Sequence, residues 1–491
     1  GDWACSSGGA DDLSLHAWGL AIDMNSDANP IRTYADCSTP VATDMPEWMI
    51  RTAERWGLYW GGYGWNSGCN RPDSQNTNVT RDTPHFEFRG TPEMARAIAT
   101  YNLAIDPTMR CFVTVDADGT DVERCNRAGV PEAGWRLPVT TDAPSGTRAV
   151  LVNLTATDAA SPGYLTLEDC GPRPTGPRET STVTYAATGA AATLAIVPLD
   201  ADGRFCVYRA SAVHSVVDVV GYLVDVSANG PSADPEIRWV RPREPNRLLD
   251  TRETGAPVPA GGELPVSGLT GGAIVNLGAV ADAHPGYLQL GACDTLGPSA
   301  RFSNVNYLGN TPHGPSIRSN LAVTELGDRD TCVYARGRAH VVVDLLATLD
   351  RADGYGWNVG EAQRALDTRT TGRRVRAGQL IELDLETDAP GAVLALTVTE
   401  PGAAGYLTVA PCDELETQLA DAGRPSTSNL NHTAGETLTN LATTALVDGR
   451  TCVYSRADAH VVVDVQATFT AERTLGLVVG DPVRTHDTRA H

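Results

Sequence analysis

The chain has 491 residues, a formal net charge of −22 and 38 basic residues, every one of them arginine. That length exceeds one ordinary core and predicts roughly three to five domains. The acidic balance excludes a nucleic-acid partner, whose phosphates need basic surface, and no run of about 18 apolar residues occurs that would predict a membrane span.

The sequence opens on Gly1 with no initiator Met and no apolar leader, as a mature secreted protein does once its signal peptide is removed. Abundant Ala, Gly, Arg and Asp without lysine is the usage of a GC-rich genome, and the expected source is actinobacterial. Gly 48 and Pro 31, with many Val-Thr-Ala runs, favour short strands and turns over long helices.

Two separated segments near the N-terminus carry the chemistry: Ser14-Leu15-His16-Ala17-Trp18-Gly19-Leu20-Ala21-Ile22-Asp23 and Asp82-Thr83-Pro84-His85-Phe86-Glu87. A catalytic zinc takes three ligands from neutral imidazole and carboxylate and keeps a fourth position open. His16, Asp23 and His85 meet that demand, and Asp82 remains as a general base. Pro84 stiffens the entry to His-Phe-Glu-Phe, which reads as a strand. There His85 and Glu87 share a face, so Glu87 is expected to orient a ligand histidine. The clearest helices are Trp48 to Trp56 and Pro92 to Asn102, with Met94, Ile98 and Ala99 at helical spacing, so residues 1–104 are expected to be α+β.

A lone His-x6-Asp arises often by chance, but the conjunction of motifs does not. Ser-x-His-x2-Gly-x-Ala-x-Asp, then Trp60-Gly61-Gly62-Tyr63, then Asp-x-Pro-His-Phe-Glu, resembles the VanY-like D-alanyl-D-alanine carboxypeptidases, a zinc metallopeptidase family that includes L-alanyl-D-glutamate endopeptidases. The resemblance covers about a fifth of the chain. It implies zinc on His16, Asp23 and His85, Asp82 as base, and Ser14 and Trp18 beside the site. The reaction implied is attack by water on a peptide bond of the peptidoglycan stem. Family members carry an arginine upstream of the Ser-x-His motif, whereas here Cys5 is followed by Ser6 and no arginine precedes His16. Arg32, Arg51, Arg55, Arg81 and Arg89 are the available substitutes.

Beyond residue 110 the chain repeats itself. Leu249-Asp250-Thr251-Arg252 recurs at 366–369 and, as His486-Asp487-Thr488-Arg489, at the end. Three units follow, at 111–226, 246–350 and 363–470. Each runs through an apolar strand, a Gly-Tyr-Leu strand, a segment like Ser-Asn-Val-Asn-Tyr, a Cys-Val-Tyr strand and a His-x3-Asp strand (His214 with Asp218, His340 with Asp344, His460 with Asp464). Seven or eight short strands per unit predict three all-β repeats of β-sandwich or jelly-roll type. The His-x3-Asp pairs are expected to hold the Asp-Thr-Arg segment and to do no chemistry. In the first unit, Cys125-Asn126-Arg127 stands where the others have Asp-Thr-Arg. Residues 471–491 are either the start of a truncated fourth repeat or a strand closing the third, and the Pro-rich 227–245 and the stretch 351–362 read as articulated linkers.

Eleven cysteines fall in order. Cys170 with Cys206, Cys293 with Cys332 and Cys412 with Cys452 recur at matching places, which predicts one disulfide per repeat. Loops of about 36 to 40 residues give roughly 3–4 kcal/mol each by loop-closure arithmetic. Cys37 with Cys69 and Cys111 with Cys125 are the remaining expected pairs, leaving Cys5 over. This usage predicts an oxidising, secreted or cell-surface setting.

The repeats resemble β-rich units appended to secreted actinobacterial cell-wall hydrolases and surface proteins, which implies envelope attachment or display. The expected function is a secreted zinc peptidase acting on the peptidoglycan stem peptide, as a D,D-carboxypeptidase or an L-Ala-D-Glu-type endopeptidase. The alternative is a non-catalytic cell-surface structural or binding protein, with a zinc-holding peptidase-like head and another envelope component as partner.

Overall fold

The computed structural model describes residues 21–489 apart from 25–26, 56, 64–68, 70–76, 90, 92, 95, 98–109, 127, 188, 228–235, 270, 282, 294, 312–313, 326 and 328. Ser14, His16, Trp18 and Cys5 therefore lie outside the described residues. The chain divides into two compact units, Gly1–Arg110 and Cys111–His491. Among the described residues, no helix is long and apolar enough to cross a membrane.

In the first unit, β1 (Ala21–Asp23), β2 (Arg32–Asp36), α1 (Glu47–Arg55), β3 (Leu58–Trp60), β4 (Thr77–Arg81) and β5 (His85–Phe88) follow in chain order. The strand β5 sits between β1 and β3 in one antiparallel sheet, and β2 pairs with β4 in a separate ribbon. Phe86, fully buried, joins Met45, Ile50 and Trp60 in a small core, with Met49 and Ala53 of α1 packed against it. Cys37 and Cys69 form a disulfide. Of the expected helix at 92–102, residues 93–94 and 96–97 are helical and most of the remainder lies outside the described residues.

The second unit is almost entirely antiparallel sheet. Its middle repeat shows the plan: eight main strands, Trp239–Asp250, Gly262–Pro265, Gly272–Ala281, Gly286–Ala292, Val305–Tyr307, Ile317–Glu325, Thr331–Ala335 and Ala339–Asp350. They form two four-stranded sheets, with the first, eighth, third and sixth strands in one and the second, seventh, fourth and fifth in the other. That order is the jelly roll. Apolar residues of both sheets, among them Val275, Leu277, Leu288 and Val333, fill the space between them. The third repeat follows the same order from Gly356–Asp367 to His460–Thr470, and the first from Arg136–Thr140 to His214–Asp225, which supplies only seven strands.

The missing strand comes from the other end of the chain. Leu475–Asp487 pairs antiparallel with His214–Asp225 and takes the first-strand position of the first repeat. The tail thus neither begins a fourth repeat nor completes the third. Asp487-Thr488-Arg489 occupies the Asp-Thr-Arg place in the first repeat, and Cys125-Asn126 belongs instead to a hairpin, Arg110–Val115 with Asp121–Asn126, pinned by Cys111–Cys125.

Among the described residues, the later parts of the two expected linkers, 239–245 and 356–362, are strand. Trp239–Asp250 and Gly356–Asp367 are edge strands, where a missing N–H or a bulge is tolerated. Their register shifts fall between Pro242 and Asn246 and between Val359 and Gln363. Articulation is replaced by hydrogen bonding between repeats: Arg238 bridges Leu477 and Val240 bridges Tyr355. One core, drawing on Leu151, Ile196, Ile274, Leu346, Trp357, Ala395, Phe469 and Leu477, joins all three repeats into a ring. The sheets facing it are covered on both sides, which explains their continuous apolar runs.

Each Asp-Thr-Arg segment is fastened in the same way. Thr251, Thr368 and Thr488 place their hydroxyls on His340, His460 and His214 at 3.1, 3.1 and 2.9 Å. Asp344, Asp464 and Asp218 receive Arg247, Arg364 and Arg484. Disulfides Cys170–Cys206, Cys293–Cys332 and Cys412–Cys452 close equivalent positions in the three repeats.

Candidate metal centre

The strand β5 carries the site on one face and the core on the other. With side chains alternating, Phe86 turns inward while His85 and Glu87 share the opposite face. Antiparallel register sets Asp23 of β1 directly across from His85 and Tyr59 of β3 across from Glu87. His85 Nδ1 lies 3.0 Å from Asp23 Oδ1, and His85 Nε2 lies 3.2 Å from Glu87 Oε2. Arg89 donates to Glu87 and stacks on Tyr59, 3.8 Å from the ring centroid. His85 and Glu87 are buried while Asp23 is exposed, so the site opens on the Asp23 side.

Asp82 is held by backbone. Its N–H donates to Gly61 O at 3.0 Å, and the His85 N–H donates to Asp82 O at 3.1 Å. Trp60 Nε1 donates to Thr83 O at 2.8 Å and Met24 N–H to Pro84 O at 2.9 Å. The Trp-Gly-Gly-Tyr motif has a steric reason: a Cβ on Gly61 would come within 2.3 Å of Asp82 O, and one on Gly62 within 2.3 Å of the Trp60 ring. Only glycine lets this turn press against the Asp82–Thr83 backbone.

The donor chemistry suits a borderline divalent cation. One imidazole nitrogen converges with a carboxylate oxygen, while the other is held by a second carboxylate, the arrangement that fixes a ligating histidine's tautomer. Burial raises the Tyr59 phenol despite Arg89, and burial with the Glu54 hydrogen bond pushes Tyr63 up to about 12, so both stay protonated at neutral pH. Elsewhere, two other groupings of acidic and cysteine residues occur among the described residues, Cys111 with Glu123 and Cys125, and Glu263 with Cys293 and Cys332. In each the cysteines are joined as a disulfide, which removes the thiolates a metal would need.

Of the arginines weighed from sequence whose side chains are described, Arg89 is the one seen at the site. Arg81 is buried, stacks on Tyr34 and donates to Asp36 O and Cys37 O, and Arg51 pairs with Glu54 on the surface. Tyr59 went unnoticed in the sequence because its place is set by cross-strand register, which no local pattern encodes.

Residues 7–88 match the model of a family described as D-alanyl-D-alanine carboxypeptidase, so the chain carries an N-terminal domain of that kind. No curated protein matches. Among solved structures, a chain from an archaeal virus with a triple jelly-roll fold and turret assembly is 9% identical, covering 76% of this chain and 89% of its own length at a TM-score of 0.16. A chain of Sulfolobus Turreted Icosahedral Virus is 9% identical over 76% and 90% at a TM-score of 0.15. Superposition at that level carries no argument about this protein.

Proposed function

We propose that the N-terminal domain is a secreted, zinc-dependent peptidase acting on peptidoglycan stem peptides, and that the three-repeat ring attaches or displays it at the cell envelope. The observation that carries the reading is the convergence of His85 and Asp23, with Glu87 behind the imidazole, inside the segment that matches the carboxypeptidase family. His16, Asp23 and His85 would hold the zinc, which when bound supplies a Lewis acid and a water of lowered pKa. Asp82, fixed by the Gly61 turn, takes the proton from the attacking water and passes it to the leaving amine. Glu87 keeps the His85 ring in its tautomer, with Arg89 holding Glu87 in turn. Ser14 and Trp18, by the family resemblance, belong beside the site. Five disulfides among the described residues support an oxidising, extracytoplasmic location.

The test is incubation of the full chain with purified peptidoglycan, with and without chelator, beside Asp82→Asn and His85→Ala. Chelator-sensitive release of D-Ala or stem fragments, lost in both variants, is the expected result. Stoichiometric zinc with no release would leave the head a binding module.

A further inference from the structure

A cleft of about 730 Å³ opens between the middle and third repeats, within the usual size range of small-ligand sites. From the middle repeat it is lined by Arg247, Asp250 and Arg252, and from the third by Tyr406, Arg424 and Ser426. We propose that this cleft binds an oligosaccharide carrying a carboxylate.

Three observations carry the assignment. First, the Tyr406 hydroxyl is buried and has no hydrogen-bond partner, an arrangement that costs stability unless something else supplies the bond. In the first repeat the corresponding Tyr164 is satisfied, accepting from Arg178 N–H at 2.9 Å and donating to Arg178 O at 3.2 Å. Second, Arg424 is exposed and makes no hydrogen bond or ion pair among the described residues, leaving a planar fork suited to a carboxylate. In the first repeat the arginine nearest this place, Arg178, stands where the third repeat has Pro425 and is committed, because it binds Glu168 through Nε and Nη2 at 2.6 and 3.0 Å and stacks on Tyr208. Third, only the third repeat, among the described residues, inserts a helix, Cys412–Ala422, between its fourth and fifth strands. Gln418 on that helix holds Ser426 N–H at 2.8 Å and shapes the cleft wall.

The remaining lining selects the ligand. Glu253 and Asp421 also face the cleft; they repel a phosphate dianion but accept hydroxyl donors, so a monoanion rich in hydroxyls fits where a nucleotide does not. The half-buried Tyr406 ring gives a sugar a flat face to lie on. The equivalent cleft between the third and first repeats, about 520 Å³, has Arg178 and Tyr164 already occupied with each other, so it is not expected to bind the same ligand.

Calorimetric titration of the full chain with a glucuronate-containing tetrasaccharide, a neutral chitin tetrasaccharide and acetate tests this. The acidic tetrasaccharide should bind at least tenfold more tightly than either of the others. Arg424→Gln should weaken it tenfold or more. Tyr406→Phe should weaken it severalfold while leaving the thermal midpoint unchanged or raised, since its hydroxyl has no partner to lose. Absence of binding at millimolar acidic tetrasaccharide, equal binding of the neutral sugar or of acetate, or full affinity in Arg424→Gln would each overturn the proposal. Peptidoglycan hydrolysis by the head is independent of all these outcomes.

Discussion

Replacing Arg209 by methionine should stabilise the ring. Arg209 is fully buried in the first repeat, with no carboxylate against it. Among the described residues its guanidinium reaches only Ser215 Oγ at 3.1 Å and Trp135 O at 3.5 Å, and Nε has no partner. The register places Ala335 and Ser455 at the same point of the other repeats, opposite Leu288 and Leu407 as Arg209 is opposite Leu165. Burial brings the Arg209 pKa well down from that of a free guanidinium, to about 9, which corresponds to on the order of 5 kcal/mol against the charged form at neutral pH. Methionine forfeits two modest hydrogen bonds of about 1 kcal/mol each and leaves their acceptors to readjust. The expected net gain is about 1–3 kcal/mol, as for other buried charges replaced by apolar residues of similar size. Urea unfolding followed by tryptophan fluorescence reads it, since Trp135 adjoins the substitution. The pH dependence gives a second check. Above pH 9 the unfolded state binds the extra proton, so wild-type stability gains with rising pH from this group and the advantage of the variant shrinks. Loss of stability in Arg209→Met at pH 7, or an advantage that stays flat from pH 9 upwards, would refute the reasoning.

Three further outcomes are expected. His432 stands where the other repeats have Tyr185 and Tyr307, whose hydroxyls reach Ser211 Oγ at 3.0 Å and Gly337 O at 2.7 Å, while both His432 nitrogens are buried without partners. His432→Tyr should add about 1 kcal/mol in chemical denaturation. Because burial lowers the His432 pKa, the unfolded state protonates first, and wild type loses stability as pH falls through about 6.5 where the tyrosine variant does not. Glu87→Gln should weaken zinc roughly 10–100-fold in competition with a chromophoric chelator, and unchanged affinity would remove Glu87 from its orienting role. Truncation before Leu475 should leave the edge of His214–Asp225 bare, so that size-exclusion chromatography shows larger species than the full chain gives, or precipitate.

What the sequence made legible was whatever local periodicity or recurrence encodes. His85 and Glu87 fall on one face because strand periodicity is two, and the repeat disulfides follow from cysteines recurring beside the same Gly-Tyr-Leu and Cys-Val-Tyr strands. Residues 239–245, the first part of the strand Trp239–Asp250, read as linker because Pro242 and Pro245 argue against a central strand, and nothing local says that it is an edge. Thr147–Thr157 gave no alternation, since both its faces are covered. The destination of Leu475–Asp487 was illegible because its partner lies at the far end of the array. The arginine at the candidate site, Arg89, could be nominated but not chosen, since its hold on Tyr59 depends on the pairing of β3 with β5.

The borrowed strand also sets an order in time. The first repeat to be synthesised cannot complete its sheet until residues 475–487 exist, and Asp218 has no Arg484 until then. The second and third repeats hold all eight of their strands in sequence and can close as the chain emerges, whereas the earliest one waits for the last. A chain exported through a membrane would therefore complete its first repeat only after residues 475–487 had crossed. A nascent or truncated product would be marked by an unfinished first repeat, exposed to proteases before the ring shuts.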